Sequence, residues 1–154
     1  MSAPIQFFYL KPFPALRERN KLKEYLPALF KLESKKLESL TYIFCSDQYL
    51  LKINQNHLNH DYYTDIITFD LSSEAKIIIG EIYISVDRVR DNAKIQRVTF
   101  KEEIHRVIFH GALHLCGYKD KTKQDKSDMA AKEDKHLAIY LGSTNHSSLK
   151  EHTV

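Results

Sequence analysis

The stretch HGALHLCGYKD, residues 110 to 120, holds two histidines four apart, a glycine three residues after the second, and an aspartate three residues after that glycine. On an α-helix, positions i and i+4 stand about 5 to 6 Å apart on one face, so His110 and His114 can offer both imidazoles to one cation. Gly117 is the residue type that accepts the left-handed conformation in which helices end. A chain that turns there can bring Asp120 back as a third ligand, in the H-x-x-x-H-x-x-G-x-x-D spacing of a metzincin with Asp in the last His position. Three protein ligands leave a coordination position open, as a catalytic rather than a structural metal site requires. Histidines four apart also occur as hydrogen-bonded core residues. The glycine break and the correctly offset aspartate are what favour the metal.

Gly111 separates this stretch from the H-E-x-x-H peptidases, whose glutamate after the first histidine is the general base. A residue with no side chain stands there, which argues against an ordinary metallopeptidase and leaves room beside the metal for something bulkier. A mid-helix glycine costs about 1 kcal/mol against alanine, so a close approach is expected at this position. His105 is about half a turn off the His110 face and is left out of the ligand set. Cys116 lies roughly 200° around the helix from His114 at 100° per residue, and reads as core.

The helix that must present these residues runs from Phe100 to about Cys116, with Thr99 as its cap, Glu102 completing a capping box, and apolar residues on nearly every side. Such a helix is central and buried. IQFFYL (5–10), LTYIFCS (40–46), TDIITFDL (64–71) and IIIGEIYISV (77–86) read as strands. A helical pattern from Leu16 to about Lys35 contains Pro27, which predicts a kink or two shorter helices. Ser46 or Asp47 caps a helix carrying Tyr49, Leu50, Leu51 and Ile53, Asp87 caps a basic helix, and residues 122–141 form the last one. STNHSSLKEHTV (143–154) reads as a flexible tail. The alternation of strands and helices argues for a mixed layer fold around one sheet.

At 154 residues, 43% hydrophobic and 28% charged, the chain is long enough for one domain with a real core. The net charge of +3 permits a polyanionic partner without demanding one. Two cysteines exclude a disulfide scaffold and suit a reducing compartment. Neither a secretory segment nor an apolar run of about 20 residues is present, so a cytoplasmic protein with no membrane association is expected.

HGALHLCGYKD resembles the H-G-x-L-H-L-x-G-Y-D-H signature of the YbeY family, bacterial endoribonucleases of rRNA maturation. Three further segments agree in order and spacing. INQNHLNHDYYTDIITF (53–69) resembles the family's L-N…T-D-V-L-S-F block, IIGEIYIS (78–85) its L-G-D-I-x-I-S strand, and Met129 and Glu133 match positions in its last helix. The resemblance covers roughly residues 40 to 141. It implies an α+β single domain over residues 1–142, with a mixed sheet of about four strands packed with helices and the metal site at the C-terminal end of the central buried helix. Two departures stand out. The family's third histidine falls at Asp120, preceded by Lys119, and a family arginine aligns with Leu58, whose electrostatic role His60 could take over.

The implied activity is hydrolysis of RNA phosphodiester bonds with one divalent metal, zinc first and nickel, manganese or iron as alternatives. Metal-activated water, rather than a protein base, would be the nucleophile source. Asp120 in place of a histidine lowers the net charge of the site by one and admits harder metals. rRNA is the implied partner, with the ribosome or its proteins behind it. The basic run Arg88, Arg90, Lys94, Arg97 and Lys101 is the candidate phosphate-contacting surface. Thr64 and Asp65 are assigned to the substrate groove or to support of the ligands. Tyr62, Tyr63 and Tyr118 could stack on bases. The competing readings are an RNA-binding ribosome-assembly factor with a structural or weak metal site, and a metal hydrolase of small molecules or peptides.

Overall fold

A computed structural model describes residues 4–11, 19–58 and 63–142. Four strands, β1 (Ile5–Tyr9), β2 (Lys36–Cys45), β3 (Ile66–Asp70) and β4 (Ile77–Ser85), form one mixed sheet in the order β1-β2-β4-β3. β1, β2 and β4 are parallel, and β3 runs antiparallel to β4. Five helices accompany them: α1 (Arg19–Leu32), α2 (Asp47–Leu58), α3 (Val86–Gln96), α4 (Phe100–Leu115) and α5 (Lys123–Leu141). The α+β architecture and the four-stranded mixed sheet are those expected from the sequence. Among the described residues no helix is long and apolar enough to cross a membrane.

The central strands read as near-continuous apolar runs because both of their faces are covered. On one face Leu40, Tyr42, Phe44, Ile78, Ile82 and Ile84 join the buried side chains of α1, α3, α4 and α5 in the main core. On the other, a smaller cluster of Cys45, Leu50 and Ile67 lies under α2. α4 packs against α1, α3, α5, β3 and β4, and eleven of its residues are buried. The buried Tyr42 hydroxyl donates to the Ile108 carbonyl at 2.8 Å, tying the middle of the sheet to the middle of this helix.

Several boundaries differ from the sequence reading, each for a local reason. α1 is one helix with Pro27 inside it, not two. The missing proline N–H removes one backbone bond, but Leu22 and Leu26 before it and Leu29 and Phe30 after it share one buried face that carries the helix across. The segment around Leu16 lies outside the described residues. β2 starts at Lys36, ahead of the expected position, because Lys36 and Leu37 pair with Ile77 and Ile78 of β4. Ser46 caps α2 by accepting from the Tyr49 N–H at 3.1 Å. The cap of α3 is Ser85 and not Asp87: Ser85 Oγ accepts from the Arg88 N–H, while the Asp87 carboxylate takes the Asp47 N–H at 2.9 Å and Lys11 at 2.7 Å. Thr99 caps α4 through the Glu102 N–H as expected. The cap with both halves of a box in place is Thr122–Asp125 at α5.

Gly111 is explained by the sheet. A Cβ there would stand 2.8 Å from Ile82 Cδ1 and 2.9 Å from Ile66 Cδ1, so any side chain at this position would have to displace isoleucine tips of β3 and β4. The expected free space beside the ligands is therefore filled by two isoleucine tips. Gly111→Val should lower stability by about 2 kcal/mol, since the added methyls must be forced into a packed contact and valine's gain in helix propensity over glycine is only a few tenths of a kcal/mol. Thermal unfolding is the measurement, and an unchanged midpoint would show that the isoleucines yield freely.

Candidate metal centre

The end of α4 is built as a full Schellman turn. The Tyr118 N–H donates to the Leu113 carbonyl at 3.1 Å and the Gly117 N–H to the His114 carbonyl at 3.0 Å. Gly117 has φ of 108° with nothing near its missing Cβ, so backbone conformation rather than space requires glycine. The turn returns the chain so that ligand atoms of His110, His114 and Asp120 all lie within 4.8 Å of one another. His110 Nε2 is 3.7 Å from Asp120 Oδ2, and the two imidazoles stand nearly perpendicular with centroids 4.7 Å apart.

These three residues could hold one divalent cation. Ligand bonds of about 2.0 to 2.2 Å place two ligands of one ion roughly 3 to 3.5 Å apart, which small side-chain rotations reach from this arrangement. The chemistry of the set fits as well. His110 Nδ1 is 2.5 Å from Glu133 Oε2. A carboxylate only accepts, so Nδ1 carries a proton, and in the neutral imidazole it is Nε2, on the side of Asp120, that keeps the lone pair a metal would take, as the outer carboxylate of a metal-ligating histidine arranges it. Arg106 in turn grips Glu133 Oε1 at 2.9 Å and Asp134 Oδ1 at 2.9 Å.

Electrostatics separate the two histidines. Burial disfavours the charged form of His110, but the hydrogen bond and charge of Glu133, with Asp120 and Asp65 beyond, reverse this and raise its pKa above the ordinary value. Burial and the neighbouring His110 both lower that of His114, which favours its neutral form. Burial raises the pKa of Asp65, with His110 pulling the other way. Site carboxylates and His110 thus make a locus that favours added positive charge.

Two grooves meet at His114. One, of about 550 Å³, is lined by Asn54, Leu58, Thr64, Ile66, Asp70 and Lys121 among others. The second, of about 420 Å³, is lined by His114, Lys119, Asp120 and Lys121. Thr64 thus borders the ligands' groove, its hydroxyl on the Ile66 carbonyl at 3.3 Å. Asp65 contributes its backbone carbonyl to the Ser85 N–H and its charge to the field at His110. The basic run is placed elsewhere. Arg88 pairs with Asp47 at 2.6 Å and lies over the Tyr63 ring, and Arg90 lies over the Phe100 ring. Arg97 is the left-handed C-cap of α3, and Lys94 and Lys101 are exposed on the helices. None of these five lines either groove. His60 and Tyr62 fall outside the described residues. His105 is turned into the fold with Nδ1 on the Lys101 carbonyl, and Cys116 packs on the core, where burial pushes its thiol up to about 12.

Sequence reasoning noted Glu133 only as a family match and missed Arg106 and Lys121. A signal for Glu133 existed: it sits on the buried α5 stripe of Met129, His136, Leu137 and Tyr140, where a carboxylate needs a partner. Lys121 gave none beyond adjacency to Asp120.

The family model described as Endoribonuclease YbeY matches residues 13–140. An Endoribonuclease YbeY of Cytophaga hutchinsonii is 53% identical over 124 residues, which cover 80% of this chain and 87% of that one. Another, of Flavobacterium johnsoniae, is 46% identical over 136 residues, 88% of this chain and 96% of its own. Among solved structures, the solution structure of TM1509 from Thermotoga maritima superimposes with a TM-score of 0.64 at 27% identity, covering 93% of each chain. Fold, ligand spacing and relatives agree, and the chain belongs to the endoribonuclease YbeY family.

Proposed function

We propose that the protein is a single-metal endoribonuclease that hydrolyses RNA phosphodiester bonds in rRNA maturation in the cytoplasm, with His110, His114 and Asp120 holding one divalent ion. The observation that carries this reading is the convergence of the three ligand side chains, with Glu133 orienting His110, where two open grooves meet. When bound, such an ion supplies Lewis acidity toward a phosphoryl oxygen and activates water. The protein's own contribution is placement. His110 and His114 present neutral nitrogens, which suit zinc, while Asp120 lowers the net charge of the set by one and hardens it, which makes manganese, nickel or iron admissible. Lys121, which borders both grooves, and Lys119, in the second, are the cations placed to hold a phosphate against the ligands.

The test uses purified wild-type protein without a histidine tag and an rRNA fragment. Cleavage should disappear after chelation and return with zinc or manganese, and RNA binding should weaken as salt rises. Protein that binds the RNA under every divalent metal and never cuts it would favour the assembly-factor reading. Salt-insensitive hydrolysis of small esters or peptides would favour a small-molecule hydrolase.

A further inference from the structure

The end of α1 breaks two local preferences at once, at Glu33 and at Ser34. Glu33 is the C-cap of α1, followed by Ser34 in the left-handed region at φ 64°, with the Lys35 N–H returning to the Phe30 carbonyl and the Ser34 N–H to that of Lys31. A carboxylate at a helix C-terminus faces the negative end of the helix dipole, and serine is a poor substitute for glycine in that conformation. Sites where such rules are broken without local gain are where a functional reason is to be sought.

The Glu33 side chain is only 5% exposed, and its partners come from two other elements. The Tyr118 hydroxyl donates to Oε1 at 2.7 Å, His136 Nε2 stands 3.1 Å from Oε2, and Lys132 Nζ is 3.4 Å away. Behind them the Tyr25 hydroxyl meets His136 Nδ1 at 2.5 Å. A carboxylate only accepts, so His136 carries its proton on Nε2 and receives the Tyr25 hydroxyl on Nδ1. Burial raises the Glu33 pKa, but Tyr118, His136 and Lys132 together bring it below the ordinary value, so the carboxylate stays charged.

Tyr118 lies in the short loop that runs from the Gly117 turn to Asp120. Its backbone is fixed on Leu113 and its side chain on Glu33, whereas Asp120 itself is exposed. α5 therefore braces the ligand set twice: Glu133 directly on His110, and Lys132 with His136 through Glu33 and Tyr118. We propose that Tyr118 is a positioning residue whose hydroxyl, seated on Glu33, sets the place of Asp120 and thereby the affinity of the site for a divalent cation. This rests on the reading of His110, His114 and Asp120 as ligands.

The experiment is a double-mutant cycle on the affinity for zinc, measured by competition with a chromophoric chelator on untagged full-length protein. Tyr118→Phe should weaken binding by about tenfold, the lower end of what outer partners of a metal ligand contribute. In an Asp120→Ala background the same change should have no further effect, because the residue it positions is gone. Glu33→Ala should reproduce Tyr118→Phe. Glu33→Gln, which still offers an amide oxygen to the hydroxyl, should restore most of the affinity. An equal loss in both backgrounds, or none in the wild-type background, would overturn the proposal and leave the network a purely structural one. Wild-type protein without zinc affinity, or an Asp120→Ala variant that binds as wild type, would overturn the ligand reading and the proposal together, and that result is visible without any change at Tyr118.

Discussion

Replacement of His114 by alanine is expected to reduce metal content from about one ion per chain to a small fraction, and RNA cleavage by about 10³-fold or more. In the proposed site three side chains hold the ion, and His114 supplies one of the two nitrogens. A carboxylate and one imidazole remain, too few to hold a divalent ion against dialysis at neutral pH. Metal assistance to a developing phosphoryl charge is worth several kcal/mol, and each 1.36 kcal/mol is about tenfold in rate. The fold should be retained, since His114 is only half-buried, on the last turn of α4, and the Schellman bonds use its backbone, which alanine keeps. Elemental analysis of untagged protein, with far-ultraviolet circular dichroism as the control for folding, is the measurement. A His114→Ala protein that keeps a full complement of metal would sink the three-ligand reading. Asp120→Ala in the same series identifies the third ligand, because metal retained there would place it on another residue.

The convergence of the three candidate ligands was legible because its geometry is local. Spacing along one helix, one glycine and a short return loop bring His110, His114 and Asp120 together, and all of that is written within HGALHLCGYKD. The strands were legible as short apolar runs, and caps were legible where the side chain had no competing partner, as at Thr99. Where a distant residue claims the side chain, sequence reasoning went astray. Asp87 was expected to cap α3, but Lys11 and the Asp47 N–H hold its carboxylate and Ser85 caps instead. Pro27 was expected to kink α1 or divide it in two, and of these the division does not occur, because a buried face shared by four residues keeps the helix whole. At Gly111 the expected close approach is present, but it comes from two isoleucine tips of β3 and β4, whose register no local pattern reveals, and these fill the room expected beside a metal. Glu133 and Glu33 belong to the same class: one sits on α5 and the other directly follows α1, at separations in sequence that only the packing of α1, α4 and α5 closes, and Arg106, although on α4 itself, is tied to Glu133 by the same packing.

Glu133→Ala is expected to weaken metal binding by about 10- to 100-fold and to destabilise the metal-free protein by about 2 kcal/mol, below the cost of a fully orphaned buried charge because Asp134 stays with Arg106. Both effects follow from one carboxylate with two partners. Oε2 accepts from His110 Nδ1, so its loss frees the imidazole to rotate and to take the other tautomer, in which Nε2 carries the proton and cannot bind an ion. Oε1 accepts from Arg106, whose side chain is 24% exposed, so its loss leaves that guanidinium with the more exposed Asp134. The two roles separate in Glu133→Gln. The amide oxygen can still accept from one partner, but its NH₂ group faces a donor on the other side, and the charge that favours a cation at His110 is gone. If the amide oxygen stays with His110, affinity should fall by only a few-fold while stability falls nearly as far as in the alanine variant. Chelator competition and thermal unfolding without metal, run on both variants, report the two quantities independently. Unchanged affinity with lowered stability in Glu133→Ala would make the residue an ion-pair anchor for Arg106 and nothing more. A fall in affinity that exceeds what the unfolding data account for would show that α5 sets the tautomer of the first ligand.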